Sequence, residues 1–311
     1  MKIIDLYTGH ATAVTDDTVV ALGFFDGVHT GHAALLSRTV EEAKKRGLSA
    51  LVLTFSERGS AELKSKSKRI FSEEQRLNAF REYGIRYAAL LDFSHVRDMS
   101  GDDFVSDVVV SECRAKAAVC GFNFRYGKGA AGTAQTLANK MALLGRECIV
   151  CEPYKYGDAP VSASRIREAV EAGDMQSARA MLGHCFFMEA EVTHGKALGR
   201  TLGLPTANQK LPAHYVRPKN GVYVTRVNID GQSYNAVTNV GVRPTVDDGE
   251  FVNCESHIIG YDGDLYGKSL RVEFCSFLRA EKKFDCVDEL KAQIEKDRKE
   301  AEKWLITFGQ S

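Results

Sequence analysis

Two histidines three residues apart, His29 and His32, end the run Gly23-Phe-Phe-Asp-Gly-Val-His-Thr-Gly-His32. At that spacing both imidazoles can face one bound polyphosphate, and Gly23, Gly27 and Gly31 let the backbone approach it with no Cβ in the way. Two loop histidines that merely hydrogen-bond the backbone are the plainer account, so the motif gains weight only from its context. A second candidate is Val161-Ser-Ala-Ser-Arg-Ile-Arg167, which opens a helix with Ser162 or Ser164 as cap. There Ser164, Arg165 and Arg167 add charge and hydroxyl to a helix N-terminus, a strong clamp for phosphate, although two arginines alone equally read as a solvated face. A third is Gly195-Lys-Ala-Leu-Gly-Arg-Thr-Leu-Gly-Leu-Pro-Thr-Ala-Asn208, a glycine-rich loop leading to Thr206 and Asn208. From an extended segment those two side chains point the same way and offer hard oxygen ligands to Mg2+, whose other positions go to water and phosphate. Pro205-Thr-Ala-Asn208 taken alone is also an ordinary turn. Glu255 stands in a strand-like run with Phe251, Val252, His257 and Ile258, where a carboxylate facing a cavity accepts a hydroxyl proton; alternation equally allows it to face solvent.

The elements that must position these residues follow from periodicity. Thr18 to Leu22 is an apolar run before the first motif, and Ala33, Leu36, Val40 and Ala43 after it fall at helical spacing with Gly47 as the stop. The motif is therefore a strand-loop-helix turn that aims backbone N–H groups and a helix dipole at an anion. It has neither the Gly-Lys-Ser/Thr of a P-loop nor the Gly-x-Gly-x-x-Gly of a dinucleotide fold. Leu48 to Phe55 reads as a second strand, Ser72 with Gln75 as a capping box, Tyr87 to Phe93 as a third strand, and Ser100 with Asp103 as the cap of another helix. Ser56 to Lys68, with Lys64 and Lys66, reads as a solvated loop. Ala117 to Cys120 and Glu147 to Cys151 continue the alternation, which predicts an open parallel α/β sheet with ligands beyond the C-terminal ends of its strands. Gly121-Phe-Asn-Phe-Arg-Tyr-Gly127 leaves one of those ends.

After Gly183 the pattern changes to alternating segments, Phe186 to Val192, Gly221 to Ile229, Gln232 to Val240, Phe251 to Ile259 and Ser269 to Phe277, with Asp230-Gly231 as a hairpin turn. That many antiparallel strands in so few residues predict a small closed barrel, followed by an amphipathic helix from about Val287 to Trp304. The expected domains are residues 1–183 and 184–311.

With 41 basic and 41 acidic side chains among 311 residues, the chain has no global basic field that would argue for nucleic acid or a membrane surface. Phosphate binding must come from local sites. The eight cysteines show no Cys-x-x-Cys pairing and several sit in apolar runs, so they are expected as buried free thiols, in keeping with a reducing cytoplasm. Met1 to His10 turns polar too early for a signal peptide, and no apolar stretch reaches bilayer length.

His29-Thr-Gly-His32 after a first strand resembles the nucleotidylyltransferase superfamily, whose members transfer a nucleoside monophosphate from ATP or CTP and release pyrophosphate. The whole chain resembles the bacterial bifunctional riboflavin kinase and FMN adenylyltransferase (FAD synthetase) family. The stretches that carry the resemblance are Gly23 to His32, Gly121 to Gly127, Ser162 to Arg167, Gly195 to Asn208, Asn239 to Thr245, Glu255 to His257, Asp264 to Gly267, Phe277 to Arg279 and Phe284, in the family's order. The resemblance implies a Rossmann-like nucleotidylyltransferase domain with a parallel sheet, then an antiparallel barrel of riboflavin kinase type with a terminal helix. It implies that riboflavin and ATP give FMN in the barrel, that FMN and ATP give FAD and pyrophosphate in the first domain, and that both steps use Mg2+. It makes His29 and His32 catalytic in adenylyl transfer, with Gly23, Phe24, Asp26, Gly27, Gly31, Asn123, Ser162, Ser164, Arg165 and Arg167 around that ATP. In the kinase it assigns Gly195, Lys196, Gly199 and Gly203 to ATP, Thr206 and Asn208 to Mg2+, and Glu255 to the riboflavin 5′-hydroxyl as base. Tyr266, Arg279 and Phe284 are implied flavin contacts. The expected enzyme is cytoplasmic, with riboflavin, FMN, FAD and ATP rather than nucleic acid or membrane as partners, and a homo-oligomer is left open.

Two departures fall on the adenylyltransferase. Where the family reads Thr-Phe-Asp-Pro-His-Pro this chain has Thr54-Phe-Ser-Glu-Arg58, and the family's Ser-Ser-Thr is Ser162-Ala-Ser164. Glu57 is thereby expected near the triphosphate, where like charge would weaken ATP binding and let FMN accumulate before FAD. The alternatives are a riboflavin kinase with a weak or lost adenylyltransferase, and a non-catalytic flavin-binding regulatory protein. Thr206, Asn208 and Glu255 together argue against the last, because binding needs no base.

Overall fold

The computed structural model describes residues 1–6, 14–57, 68–194, 205–211, 214–243 and 251–308. Gly195, Lys196, Gly199 and Gly203 lie outside the described residues, as do Arg58, Lys64, Lys66 and Thr245. By packing, the chain forms two units, Met1–Ala163 and Ser164–Ser311.

The first unit is built on a parallel sheet of six strands, β1 (Lys2–Asp5), β2 (Thr18–Leu22), β3 (Ser49–Phe55), β4 (Tyr87–Leu91), β5 (Ala115–Gly121) and β8 (Glu147–Cys151), in the order β1-β4-β3-β2-β5-β8. All residues of β2 and β4 are buried, which is why their sequences are continuous apolar runs rather than alternating ones. Between β2 and β3 runs α1 (Thr30–Arg46), capped by His29 at its start and closed by Gly47 at φ 66°. The expected capping box is present at α2 (Glu73–Glu82), where Ser72 and Gln75 each bond the other's backbone N–H. β4 leads through the short α3 (Phe93–Val96) to α4 (Gly101–Asp103), capped by Ser100, which continues as a π-helical stretch over Phe104–Glu112. The small pairs β6 (Arg125–Tyr126) with β7 (Gly132–Thr133) and β9 (Lys155–Tyr156) with β10 (Ala159–Pro160), together with α5 (Ala134–Leu143), complete the unit. The chain runs outward from β2 through β3 to β4 and then resumes on the other side of β2 at β5, so the β2/β5 boundary is the topological switch point.

The second unit opens with α6 (Ala163–Ala172) and α7 (Met175–Leu182), then forms a closed antiparallel barrel: β11 (Phe186–Thr193), β12 (Ala207–Leu211), β13 (Gly221–Ile229), β14 (Gln232–Arg243), β15 (Phe251–Ile258) and β16 (Ser269–Arg279). The order is β11-β12-β15-β14-β13-β16, with β16 returning to β11. Asp230 and Gly231, at φ 52° and 84°, make the expected two-residue turn between β13 and β14. The terminal helix α8 (Val287–Phe308) packs on β14 and β13.

Packing divides the chain between Ala163 and Ser164 and so groups α6 and α7 with the barrel; the expected border at Gly183 lies after α7. In that unit α7 lies against β11 and β16, and the Lys219 N–H donates to Val170 O of α6 at 3.3 Å. Gly183, read as a border, is the left-handed C-cap of α7 at φ 84°. All eight cysteines are free; Cys113, Cys120, Cys185, Cys254 and Cys275 are buried as expected, Cys148 and Cys151 are half-buried, and Cys286 is exposed.

Candidate active sites of the two units

In the first unit the loop after β2 takes its shape from Asp26 and Arg76. Asp26 Oδ1 accepts the backbone N–H groups of Ile70 at 3.0 Å and Phe71 at 3.1 Å, and Asp26 is 3 % exposed. Asp26, expected among the ATP-binding residues, anchors the neighbouring loop through Oδ1. Gly27 adopts φ 75°, and a Cβ there would stand 3.0 Å from Ile70 Cγ2, so only glycine fits beside that anchor. Arg76, on α2 and 2 % exposed, donates to Phe24 O at 3.0 Å, Thr54 Oγ1 at 2.9 Å and Phe55 O at 3.0 Å, tying the ends of β2 and β3 together. Burial lowers the pKa of its guanidinium, while the charges of Asp26, Glu73 and Glu57 oppose that shift. Sequence reasoning missed Arg76; its signal is an arginine on the face of α2 that also buries Leu77 and Phe80.

His29 Nδ1 accepts the His32 N–H at 3.3 Å, and the two rings stack with centroids 3.6 Å apart. Both therefore sit at the start of α1, one as its cap and one inside its first turn. Burial lowers the His29 pKa to about 4, and burial with the nearby His29 charge drives His32 well below the usual imidazole range, so both rings are neutral at neutral pH. With Nδ1 accepting, neutral His29 carries its proton on Nε2. His32 Nδ1 is buried with no hydrogen-bond partner among the described residues. A Cβ at Gly31 would lie 3.3 Å from the His29 ring, so the glycine gives that ring its place.

A cavity of about 590 Å³ opens at the C-terminal ends of the strands, walled by Gly23, Phe24 and His32 from the β2 side and by Asn123, Phe124 and Tyr126 after β5. Phe55 and Phe93 add an edge-to-face aromatic pair, with centroids 5.7 Å apart, to the same wall. The structure thus brings His32, Gly23, Phe24 and Asn123 to one cavity at the switch point. Ser162 directly precedes α6, while Ser164, Arg165 and Arg167 belong to the second unit. Glu57 does not stand as a bare acid: it pairs with Arg69 at 3.0 Å and accepts the Glu73 N–H at 2.8 Å, while its own N–H bonds the Glu73 carboxylate at 2.6 Å. The local charge expected to repel a triphosphate is thereby offset.

In the barrel, Asn208 on β12 is directly opposite Glu255 on β15, and Glu255 is also opposite Asn239 on β14. The Asn208 amide Nδ2 lies 3.4 Å from Thr206 Oγ1 and 3.3 Å from Thr206 O. Asn253, two residues along the same face of β15, donates to Glu255 Oε1 at 2.9 Å, a contact the sequence reading did not include. A cavity of about 370 Å³ is lined by Thr206, Asn208, Ser256, Tyr261, Asp264 and Tyr266 among others. Tyr266, expected at the flavin, stacks on His194 at 3.9 Å in that same cavity. Arg279 is engaged elsewhere: its Nε and Nη2 grip the buried Asp297 of α8, the shortest contact being 2.7 Å. Its guanidinium fastens α8 to β16, so its expected flavin role has a structural competitor. Phe284 is half-buried, with Lys282 Nζ 5.6 Å from its ring centre.

A parallel α/β unit with a His-x-Gly-His turn at its switch point, joined to a six-stranded barrel with paired Asn208 and Glu255, defines a nucleotidyl- and phosphoryl-transfer class of protein. Family models agree unit by unit: FAD synthetase matches residues 11–165 and riboflavin kinase residues 182–305. Bifunctional riboflavin kinase/FMN adenylyltransferases are 33% identical in Bacillus subtilis, over 91% of this chain and 91% of that protein, and in Escherichia coli K12, over 96% of each. A solved structure described as a macrolide-efflux protein from Streptococcus pneumoniae superposes with a TM-score of 0.88 at 31% identity, over 98% of this chain and 100% of that one. The chain belongs to the bifunctional riboflavin kinase/FMN adenylyltransferase family. No helix among the described residues is long and apolar enough to cross a membrane.

Proposed function

We propose that the two reactions of this enzyme, ATP-dependent phosphorylation of riboflavin to FMN and adenylation of FMN to FAD with release of pyrophosphate, are divided between the barrel and the parallel-sheet unit. The observation that carries the barrel assignment is the register that sets Asn208 beside Glu255. Directly opposed side chains on neighbouring strands lie within about 5 Å at Cβ, so a ligand for the cation and an acceptor for the hydroxyl proton face one substrate. Glu255 takes the riboflavin 5′-hydroxyl proton as the oxygen attacks the terminal phosphorus of ATP in line.

The donor set fits Mg2+. Thr206 and Asn208 offer neutral oxygens, which suit an ion that keeps water and phosphate as its other ligands. A half-turn of the Asn208 amide puts Oδ1 rather than Nδ2 beside Thr206 Oγ1. Mg2+ there would neutralise phosphate charge; Thr206 and Asn208 would orient it.

In the first unit the triphosphate of the second ATP lies over the start of α1, where backbone N–H groups and the helix dipole supply the attraction. His29 and His32 approach it as neutral hydrogen-bond donors, and an adjacent anion raises their proton affinity so that charge is gained as the phosphates bind. The aromatic walls of the neighbouring cavity suit the isoalloxazine of FMN. The eight free thiols suit a cytoplasmic enzyme.

The test is a double dissociation. Glu255→Gln should lower kinase turnover by roughly a hundred- to ten-thousandfold and leave adenylation of supplied FMN intact. His32→Ala should lower adenylation by on the order of a hundred- to a thousandfold and spare the kinase. Equal loss of both activities in either variant would refute two separate sites.

A further inference from the structure

Two thiols that neither reaction uses face one another across the barrel wall. β11 and β16 run antiparallel with Phe186 opposite Phe274, so one step further Cys185, directly before β11, comes opposite Cys275. Facing residues on antiparallel strands stand about 4.5 to 5.5 Å apart at Cα, inside the span of a disulfide. Against β13, Cys275 is the extra residue of a bulge, since Thr225 pairs with Phe274 and Val224 with Ser276, so β11 supplies its cross-strand neighbour. Both cysteines belong to one buried cluster with Val222, Val224 and Ala301 of α8. Both are free thiols, each 5 % exposed. Cys120 and Cys148 of the first unit lie opposite Val150 and Ala118, offset by two residues along their strands instead of facing.

The surroundings make the two sulfurs unequal. Arg226 Nη2 lies 4.0 Å from Cys185 Sγ, and Cys275 Sγ donates to Glu273 O at 3.7 Å. The Cys275 thiol, with the Arg179 and Arg226 guanidiniums, holds the Cys185 pKa below the usual thiol range against its burial; Cys185 and burial push Cys275 the other way. Cys185 is thus the better nucleophile, while Cys275 keeps its proton.

We propose that Cys185 and Cys275 form a peroxide-oxidised site of the barrel, with Cys185 as the attacking sulfur and Cys275 as the resolving one. The Cys185 thiolate attacks one oxygen of hydrogen peroxide; the O–O bond breaks, the sulfur becomes a sulfenic acid, and the departing hydroxide takes up a proton to leave as water. The Cys275 sulfur then attacks the sulfenic sulfur. An S–S bond forms, the S–OH bond breaks, and a second water leaves with the Cys275 proton. Two thiols are oxidised to a disulfide, and peroxide is reduced to two waters. The bridge closes a loop of chain that contains β12 to β15, and with them Thr206, Asn208 and Glu255. Closing so long a loop lowers the entropy of the unfolded chain, so oxidation clamps the kinase fold.

The experiment treats the full chain with hydrogen peroxide, blocks the remaining thiols with iodoacetamide in denaturant, and maps the peptides by mass spectrometry. The expected product is a peptide pair joined through Cys185 and Cys275, separated again by dithiothreitol. Trp304, the single tryptophan, packs on the same cluster, so its fluorescence reads this unit and should show a higher urea midpoint after oxidation. Cys275→Ser should leave a sulfenic acid at Cys185 that dimedone captures. Arg226→Gln should slow oxidation on the order of tenfold, and Glu273 keeps Arg271 at 3.2 Å in that variant. The peptide map of the parent chain depends on no variant folding: no bridge, or one between other cysteines, overturns the site. Absence of the dimedone adduct in Cys275→Ser, or an unchanged rate in Arg226→Gln, overturns the role of Cys185 as the attacking sulfur, and an unchanged urea midpoint overturns the clamp.

Discussion

Lowering the pH from 7.5 to 5.5 should loosen the first unit through its histidine pair, ahead of most carboxylates. An unfolded His29 takes up a proton below its ordinary value of 6.5, whereas in the fold burial holds its pKa down to about 4. Protonation therefore favours the unfolded chain throughout that window. The stability is complete above pH 6.5 and is lost as pH falls toward 4. Linkage over a difference of this size removes about 2 kcal/mol by pH 5 from His29 alone. His32, lowered in the same direction by burial and by His29, adds to the loss. Because His29 also caps α1 through its Nδ1, protonating it removes the acceptor of the His32 N–H, so the helix start that faces phosphate is where the loss is felt. Carbon-13 histidine NMR reads each ring directly, and urea titrations at several pH values read the stability. His29→Asn keeps a side-chain acceptor at the cap but cannot titrate, so its stability should vary less across the window. A His29 resonance titrating near 6.5, or the same pH slope in His29→Asn as in the parent, would refute the reasoning.

Two further outcomes follow from packing. Asp26→Ala removes the acceptor of two buried backbone N–H groups and should destabilise the first unit by about 2–4 kcal/mol, read as a shift in its denaturant midpoint. An unchanged midpoint would mean the 70–71 backbone finds other partners. A kinase fragment beginning at Ser164 should fold and make FMN, whereas one beginning at His184 loses α7, whose Met175, Ala178, Met181 and Leu182 are each at most 2 % exposed. Equal thermal stability of the two fragments would mean that α7 adds nothing to the barrel.

Much was determined by the sequence alone, because it depends on local chemistry. The helix after His29, the Ser72 box, the Asp230-Gly231 turn and the change from helical to alternating periodicity are all written in residues a few positions apart, and each is present in the structure. The order of motifs likewise sufficed to indicate two nucleotide-using units. Strand β12 was not foreseen, since its five residues gain their pairing from β11 and β15, distant in the chain. Tertiary structure alone decided what the charged residues do. Asp26 and Arg279 carry ligand-type side chains, and only the fold shows that Asp26 also accepts the Phe71 N–H and that Arg279 also pairs with Asp297. The neutrality of His29 and His32 and the tie made by Arg76 also depend on burial and on partners from other elements. Whether a polar group is available to a substrate is set by what else reaches it first, and that is a property of contacts between remote parts of the chain.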